Sequence, residues 1–361
     1  MTAPIRRLDT RLFRAPLGRP WGPGVDRLAF ISVEVEDDAG SVGRGLSWTP
    51  TIGAEAVQAL LDHDIRAWAI GRPADAGALW HPLWRHLHEA GGGGITTIAM
   101  AGLDLALWDL DAGRAGRPMV EHLGRAHQRV RAYGSGINRH YSFDELVAQA
   151  ERWVDAGFDA VKMKVGLPEL ADDIRRVAAV REIIGPDRAL MIDANQLWSV
   201  DDAVRAVNEL AVFDLNWVEE PLRADDLAGH IRLREAIDVP IAVGENLHTR
   251  YRFGEFLDAG VADVVQPNVV RVGGITPFLQ IAALADEHGA TVAPHLLTEL
   301  SAQLALARTA DTPVEAPEGA SFDELGVIDG MPPVVVEHGW ARDTGQAGLG
   351  IRLVDAAAPV F

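Results

Sequence analysis

The chain has 361 residues, which is long enough for more than one domain and a large buried core. Its net charge of −19 argues against a nucleic-acid partner, because phosphates need a basic protein face. The absence of cysteine excludes disulfides and thiolate metal sites. Because Asp104 and Asp109 interrupt the most apolar helical stretch, we expect no membrane span and a cytoplasmic protein.

The first part of the chain, residues 1–124, predicts a small α+β domain. Residues 28–36 alternate between apolar and polar as a strand does, and residues 41–48 resume an extended pattern after a turn. Apolar residues at helical spacing follow in three segments, at 52–70, 79–89 and 95–111.

From about residue 129 strands and helices alternate strictly, and one predicted helix begins with a capping box of Ser142 and Glu145. Eight βα units predict a closed parallel barrel over residues 125–317, with residues 318–361 returning to the first domain. An open doubly wound sheet is the alternative, but no G-x-G-x-x-G follows the first strand. The eight predicted strands are 130–135, 160–165, 189–193, 215–220, 240–245, 262–267, 290–295 and 312–316.

The use of lysine is unusual, because 31 of the 33 basic residues are arginine and only Lys162 and Lys164 are lysine. A coding bias toward arginine explains the 31, but it does not explain two exceptions that stand two residues apart in an apolar run. Side chains alternate along a strand, so both amines face the same side. Arginine keeps its proton in proteins, whereas a crowded or desolvated lysine can lose it. We therefore predict a functional lysine pair that includes a base.

Three carboxylates end consecutive predicted strands at equal intervals. Asp193, Glu219 and Glu245 are each separated by 26 residues, about the length of one βα unit. Carboxylates that converge at one rim repel one another unless a cation lies between them. Oxygen ligands without cysteine or a nearby histidine favour Mg²⁺ over Zn²⁺. The alternative is that each acid caps the helix that follows it.

Polar residues at other strand ends are weaker candidates. His295 ends the seventh predicted strand and would lie across the barrel mouth from Lys164, where it could serve as an acid. A lone histidine at a strand end is also often structural. Asn195 and Glu315 could bind the substrate.

In combination these residues resemble the enolase superfamily and, within it, the mandelate racemase subgroup, close to its sugar-acid dehydratases and lactone cycloisomerases. The resemblance covers nearly the whole chain. It implies a modified (β/α)7β-type TIM barrel with an α+β capping domain formed by the N-terminal region and the C-terminal tail. It also implies a homo-oligomer, either a dimer or an octamer. The segments that carry it are residues 106–110, 162–164, 192–195, 218–221, 244–246, 272–276 and 294–295.

The resemblance also implies a role for each site residue. Mg²⁺ would be bound by Asp193, Glu219 and Glu245. Lys164 would act as the base on one face of the substrate, with Lys162 tuning it. His295 would act as an acid or base on the opposite face. Glu315 would donate a hydrogen bond to the substrate carboxylate.

The chain departs from the subgroup at residue 268. The sixth strand of the subgroup ends in an Asp that pairs with the histidine, whereas this chain has Asn268. We expect Asn268 to lie with the substrate-binding residues, to accept the imidazole N–H of His295 and to make it a weaker base. A one-base elimination is then favoured over a two-base racemisation. The muconate-cycloisomerase-like subgroups are excluded, because they need a lysine on the sixth strand and none follows residue 164.

The predicted function is the Mg²⁺-dependent dehydration of a sugar acid to a 2-keto-3-deoxy acid through an enediolate intermediate. Lys164 would remove the α-proton, and His295 would protonate the leaving hydroxyl. A racemase, an epimerase or a lactone cycloisomerase would use the same intermediate. Two other classes remain open: a Schiff-base aldolase that uses one of the lysines, and a binding protein that kept the fold without the chemistry.

Overall fold

The computed structural model describes residues 2–354 and begins with a three-stranded antiparallel sheet. Strands β2 (Arg27–Asp37) and β3 (Val42–Thr49) confirm the two strands that the sequence predicts. Strand β1 (Ile5–Pro16) has no counterpart in the prediction. It lies at the edge of the sheet, and charged side chains on its exposed face pair with acids of β2. Because of these charged residues, the sequence of β1 does not show a clear apolar alternation.

Helices pack on this sheet and complete an N-terminal α+β domain. The predicted helix at 52–70 is divided by a π-helical turn, and the other two predicted helices correspond to α3 and α4. Helix α4 approaches β3 so closely that a Cβ on Gly43 would lie 2.0 Å from the carbonyl oxygen of Ala106. The helices are α1 (Ala54–Leu60), α2 (Arg66–Ala69), α3 (Ala76–Leu87), α4 (Ile95–Arg114) and α5 (Met119–Leu123).

Eight parallel strands follow at the predicted places, and the later ones are shorter than expected. They pair in chain order from β4 to β10, and β11 returns to pair in parallel with β4. Pairing between the last strand and the first is what bends a parallel sheet into a barrel. The strands are β4 (Val130–Ser135), β5 (Ala160–Lys164), β6 (Ala189–Asp193), β7 (Leu215–Glu219), β8 (Ile241–Val243), β9 (Val264–Val265), β10 (Thr291–Val292) and β11 (Val314–Pro317).

The seam between β10 and β11 has no backbone pairing within residues 2–354. It is bridged instead by a side chain, because the N–H of Leu296 donates to the carboxylate of Glu315 at 2.8 Å. Bulky side chains such as Tyr133 and Trp217 form a buried apolar cluster on the inner face of the curved sheet. The fold is therefore an α/β fold of the TIM-barrel type with a packed interior.

A helix follows each of the first seven parallel strands, so that all the carboxyl ends of the strands gather at one rim. The predicted capping box of Ser142 and Glu145 is confirmed at the start of α6. Across residues 2–354, no helix is long and apolar enough to cross a lipid bilayer. The helices are α6 (Phe143–Asp155), α7 (Leu170–Ile184), α8 (Val200–Leu210), α9 (Leu227–Arg234), α10 (Arg250–Asp258), α11 (Ile275–His288) and α12 (Thr298–Ala307).

The C-terminal segment forms a hairpin of β12 (Val334–Glu337) and β13 (Trp340–Asp343), and β13 pairs antiparallel with β4. The chain then reaches the N-terminal domain, where the N–H of Leu349 donates to Asp109 at 2.7 Å. The predicted division of the chain at residues 124 and 317 stays a prediction, and residues 355–361 lie outside the described part.

The N-terminal domain supplies the cap of a barrel helix. Helix α11 follows Gly274 and has no side-chain cap of its own. Asp104 of α4 accepts the backbone N–H of Thr276 at 3.0 Å and its hydroxyl at 2.6 Å. Trp108, one turn further along α4, donates to the same hydroxyl at 2.9 Å. These bonds satisfy donors that a helix end otherwise leaves unpaired.

The buried cap predicts a pH-dependent stability. Burial raises the pKa of Asp104 from its ordinary value of 3.8 to about 7. The folded state therefore binds the proton of Asp104 more tightly than the unfolded state does. The stability gained from this proton is fully present below pH 3.8 and is lost as pH rises toward 7. Between pH 4 and 7 we expect wild type to lose on the order of 4 kcal/mol relative to Asp104→Asn. Urea unfolding at both pH values measures this, with the exposed Asp201→Asn as control. Parallel pH profiles for wild type and Asp104→Asn would contradict it.

Candidate active site

Three carboxylates meet at the rim where β6, β7 and β8 end. Asp193 and Glu219 are the last residues of β6 and β7 and lie opposite each other in the strand register. Glu245 follows β8 by two residues. The three residues are buried, and one oxygen from each lies within 4.8 Å of the others. The equal sequence spacing thus corresponds to spatial convergence.

Both lysines of β5 reach this group of carboxylates. Lys162 Nζ lies 2.7 Å from each oxygen of Glu219 and 2.9 Å from Glu315 Oε1. Lys164 Nζ contacts Asp193 Oδ2. The two lysines are on one side of the strand, as the period-two alternation predicts, and both are buried.

The electrostatics of the carboxylate group fit a bound cation. Burial and then repulsion from Asp193 raise the pKa of Glu219 to about 8, although Lys162 opposes this. Carboxylates crowded in this way are stabilised by a positive charge between them. The donor set consists only of carboxylate oxygens, which are the ligands of Mg²⁺ and other hard ions. The residues present therefore fit a divalent cation of this type.

Contact with the carboxylates sets the direction of the pKa shift of both lysines. Burial lowers the pKa of Lys164, but attraction to Asp193 outweighs it and the net direction is upward. The pKa of Lys162 is also raised, because Glu219 and Glu315 outweigh the effect of burial. Direct contact with carboxylate oxygens is the cause in both cases, and the loss of a proton from one of the lysines stays a prediction.

His295 lies at the same rim, three residues after β10. Its Nε2 is 2.8 Å from Glu245 Oε2, and its Nδ1 is 3.1 Å from Asn268 Nδ2. Asn268 is fully buried, and its amide bonds His295, Val270 and Arg271, while its place among the substrate-binding residues stays a prediction. The hydrogen bond to the ring runs opposite to the expected direction: the amide of Asn268 donates toward the ring and does not accept from it.

Glu315 of β11 is buried and accepts hydrogen bonds from other groups of the protein. Its oxygens accept from the Ser135 hydroxyl at 2.6 Å and from the N–H of Leu296 at 2.8 Å. Burial alone would raise its pKa, but Lys162 and His295 lower it to about 2. An ionised carboxylate accepts hydrogen bonds, and the donor role toward the substrate stays a prediction.

Asn195, the other residue predicted to bind the substrate, is exposed two residues after β6. Its backbone adopts a positive φ of 43°, and its N–H donates to Asp193 Oδ1 at 2.8 Å. The turn therefore holds Asp193 and presents the Asn195 side chain at the rim.

Sequence reasoning missed several residues that support the site. Gln266 Nε2 donates to Glu219 Oε2 at 2.6 Å, and Asn246 Nδ2 donates to Glu245 Oε1 at 3.0 Å. Asn138 accepts the backbone N–H of Lys164 at 2.9 Å. All three are amides that closely follow a strand, which is the sequence signal that could have found them.

A cavity of about 470 Å³ opens between the barrel rim and the N-terminal domain, and none of the three carboxylates lines it, although Asn246, the neighbour of Glu245, does. Asn246 and Gln196 line it from the barrel, and Gly93 and Gly94 line it from the N-terminal domain. A larger cavity of about 630 Å³ lies elsewhere, between α6 and the C-terminal segment, and none of the three carboxylates lines it.

Comparison with known proteins gives matches over both parts of the chain. Residues 22–124 match the family described as mandelate racemase / muconate lactonizing enzyme, N-terminal domain, and residues 145–357 match the enolase C-terminal domain-like family. A 3,6-anhydro-α-L-galactonate cycloisomerase from Streptomyces coelicolor is 39% identical, covering 82% of this chain and 84% of the relative. An L-talarate/galactarate dehydratase from Salmonella typhimurium is 38% identical, covering 78% and 71%.

The fold also matches solved structures. The crystal structure of a racemase from Streptomyces coelicolor A3(2) with bound magnesium superposes with a TM-score of 0.90 at 35% identity. The match covers 97% of each chain. The N-terminal domain and the parallel sheet are thus both shared with that structure.

Proposed function

The chain belongs to the mandelate racemase / muconate lactonizing enzyme family of the enolase superfamily, and we propose that it dehydrates a sugar acid to a 2-keto-3-deoxy acid. Enzymes of this superfamily abstract the proton next to a carboxylate through an enediolate. The observation that carries the proposal is the buried group of Asp193, Glu219 and Glu245 with Lys164 on the adjacent strand.

Mg²⁺ is the cofactor we propose, held by Asp193, Glu219 and Glu245. The oxygen-only donor set supports it, as does the magnesium in the related racemase structure. When bound, the ion makes the α-proton more acidic by stabilising the negative charge that develops on the substrate carboxylate. Gln266 and Asn246 orient two of the ligands through the hydrogen bonds described above.

Lys164 is the group we propose as the base. Its Nζ lies at the carboxylate group, and its backbone is fixed by Asn138. Lys162 contacts Glu219 and Glu315 and keeps a positive charge beside them. His295 lies at the far side of the group, against Glu245, and donates a hydrogen bond from there. The two sides of the substrate therefore meet chemically different groups.

Two outcomes of the common intermediate have support from the relatives. Elimination of water is the reaction named for the L-talarate/galactarate dehydratase, and cycloisomerisation is that named for the 3,6-anhydro-α-L-galactonate cycloisomerase. We place dehydration first because Asn268 leaves Nδ1 of His295 without the carboxylate that a second base needs at that nitrogen. Cycloisomerisation is the second candidate, since the cycloisomerase is 39% identical to this chain.

A substrate screen tests the proposal. Purified protein with Mg²⁺ is incubated with mono- and dicarboxylic sugar acids and with sugar lactones, and 2-keto acid is detected as its semicarbazone. We expect 2-keto acid from at least one sugar acid and none after EDTA treatment. Formation of a 2-keto acid from a cyclic substrate at unchanged mass would favour the cycloisomerase, because loss of the ring oxygen from the β-carbon also yields an enol, and no reaction with any of them would contradict both. Assembly into a dimer or octamer and a cytoplasmic location stay predictions.

A further inference from the structure

The amide of Asn268 has one orientation that satisfies its surroundings. Its Oδ1 accepts the backbone N–H groups of Val270 and Arg271, each at 3.1 Å. Its Nδ2 lies 3.3 Å from the carbonyl oxygen of His295 and 3.1 Å from His295 Nδ1. Exchanging the oxygen and nitrogen would set an NH₂ group against two N–H donors. Because Asn268 is fully buried, no water replaces these partners.

This orientation determines where a neutral His295 ring carries its single proton. A donor beside Nδ1 needs a lone pair on that nitrogen, so the proton is on Nε2. The fixed orientation of the Asn268 amide therefore assigns the tautomer by itself.

We propose that Asn268 is a positioning residue that restricts His295 to donating a hydrogen bond from Nε2, so that all proton transfer to and from the substrate occurs on the Lys164 side. An aspartate at this position has no N–H and would accept a proton from Nδ1, which would leave the lone pair on Nε2 and make a base of it. The proposal deepens the dehydration proposed above and rests on it.

The proton balance then involves one side chain. Lys164 acts in its neutral form, which is the minor form while Nζ contacts Asp193, and takes the α-proton. The electrons of the C–H bond are first held in the enediolate and then form the double bond between the α- and β-carbons. The bond from the β-carbon to its hydroxyl oxygen breaks, and the Lys164 ammonium returns its proton to that oxygen, which leaves as water. The resulting enol exchanges protons with solvent and becomes the 2-keto acid. Both events occur on one face, so the elimination is syn.

The tautomer is measured without turnover by ¹⁵N NMR of histidine-labelled protein. The His295 signals are identified by their absence in His295→Gln. At a pH where the ring is neutral, we expect a protonated Nε2 and an unprotonated Nδ1 in wild type, and the reverse in Asn268→Asp. Asn208→Asp, a change at the surface of α8, serves as the matched control with the wild-type spectrum. A protonated Nδ1 in wild type would overturn the proposal, whether or not any sugar acid is a substrate.

Isotope exchange tests the consequence for the reaction. Wild type is incubated in D₂O with both α-epimers of an acid that it turns over, and deuterium at the α-carbon is measured in recovered substrate. We expect exchange in one epimer only, and a new exchange of the other in Asn268→Asp. Equal exchange of both epimers by wild type would refute one-sided proton transfer while leaving the dehydratase activity intact, so the two failures are distinguishable.

Discussion

Replacement of Lys164 by arginine is expected to lower kcat by roughly 10²–10⁴-fold, the usual contribution of a general base. The guanidinium group keeps its proton, so Lys164→Arg preserves the positive charge beside Asp193 and removes the base. Turnover of the best substrate from the screen measures the effect. Because Lys164 is buried, the longer side chain also perturbs packing, and the variant needs an independent check of its folding.

Two measurements separate loss of the base from loss of the fold. Stabilisation of Lys164→Arg by Mg²⁺ reports whether the carboxylate group still assembles. The converse exchange, Arg205→Lys, lies on the exposed face of α8 and should leave turnover unchanged. Activity of Lys164→Arg within a few-fold of wild type would end the assignment of Lys164 as base, whatever its stability.

Removal of one metal ligand is expected to abolish the response of stability to Mg²⁺. Wild type freed of metal by EDTA should gain about 2.7 kcal/mol of unfolding free energy when Mg²⁺ is present at 100 times its Kd. Glu219→Gln should gain far less, because an amide is a weak ligand and the charge of the site falls by one. Thermal unfolding with and without Mg²⁺ measures the gain within each protein.

The comparison within each protein matters because Glu219 has other partners. Both of its oxygens accept from Lys162, and one also accepts from Gln266, so Glu219→Gln loses stability without metal as well. Glu299→Gln is the matched control: Glu299 is also a buried acid, but it bonds the backbone of Phe322 and should keep the full Mg²⁺ response. Equal responses of wild type and Glu219→Gln would refute the proposed metal site.

The parts of the site that repeat along the chain could be predicted from the sequence. Asp193 and Glu219 each follow an apolar strand at the same interval, and the register of β6 and β7 places them side by side. Lys162 and Lys164 were found because every other basic residue is arginine. Strand length and side-chain alternation set these positions, and both can be read locally.

The direction of hydrogen bonds could not be predicted in the same way. Asn268 donates to His295 because its oxygen is already used by Val270 and Arg271, and that turn is not visible in a strand pattern. The pKa of Glu315 is lowered because Lys162, on the strand beyond β4, lies 2.9 Å from its carboxylate. These properties depend on which groups from distant strands share one buried space.

Parts of the fold were missed for a related reason. Arginines of β1 pair with acids of β2. Apolar and polar residues alternate along only part of β1, so the pattern typical of a strand is incomplete. The hairpin of β12 and β13 is short, and the pairing of β13 with β4 fixes its position. Such edge strands are defined by their neighbours more than by their own residues.

The bond between Asp104 and the start of α11 has a consequence for how the molecule unfolds. The parallel sheet and its helices depend on a side chain from the N-terminal domain to complete α11, and Trp80 of α3 adds a bond to the carbonyl of Gly273 at 2.8 Å. Losing the N-terminal domain would expose these groups and the apolar surface around them. A gene fragment that encodes the barrel alone should therefore yield an aggregation-prone polypeptide, and the intact chain should melt as one cooperative unit.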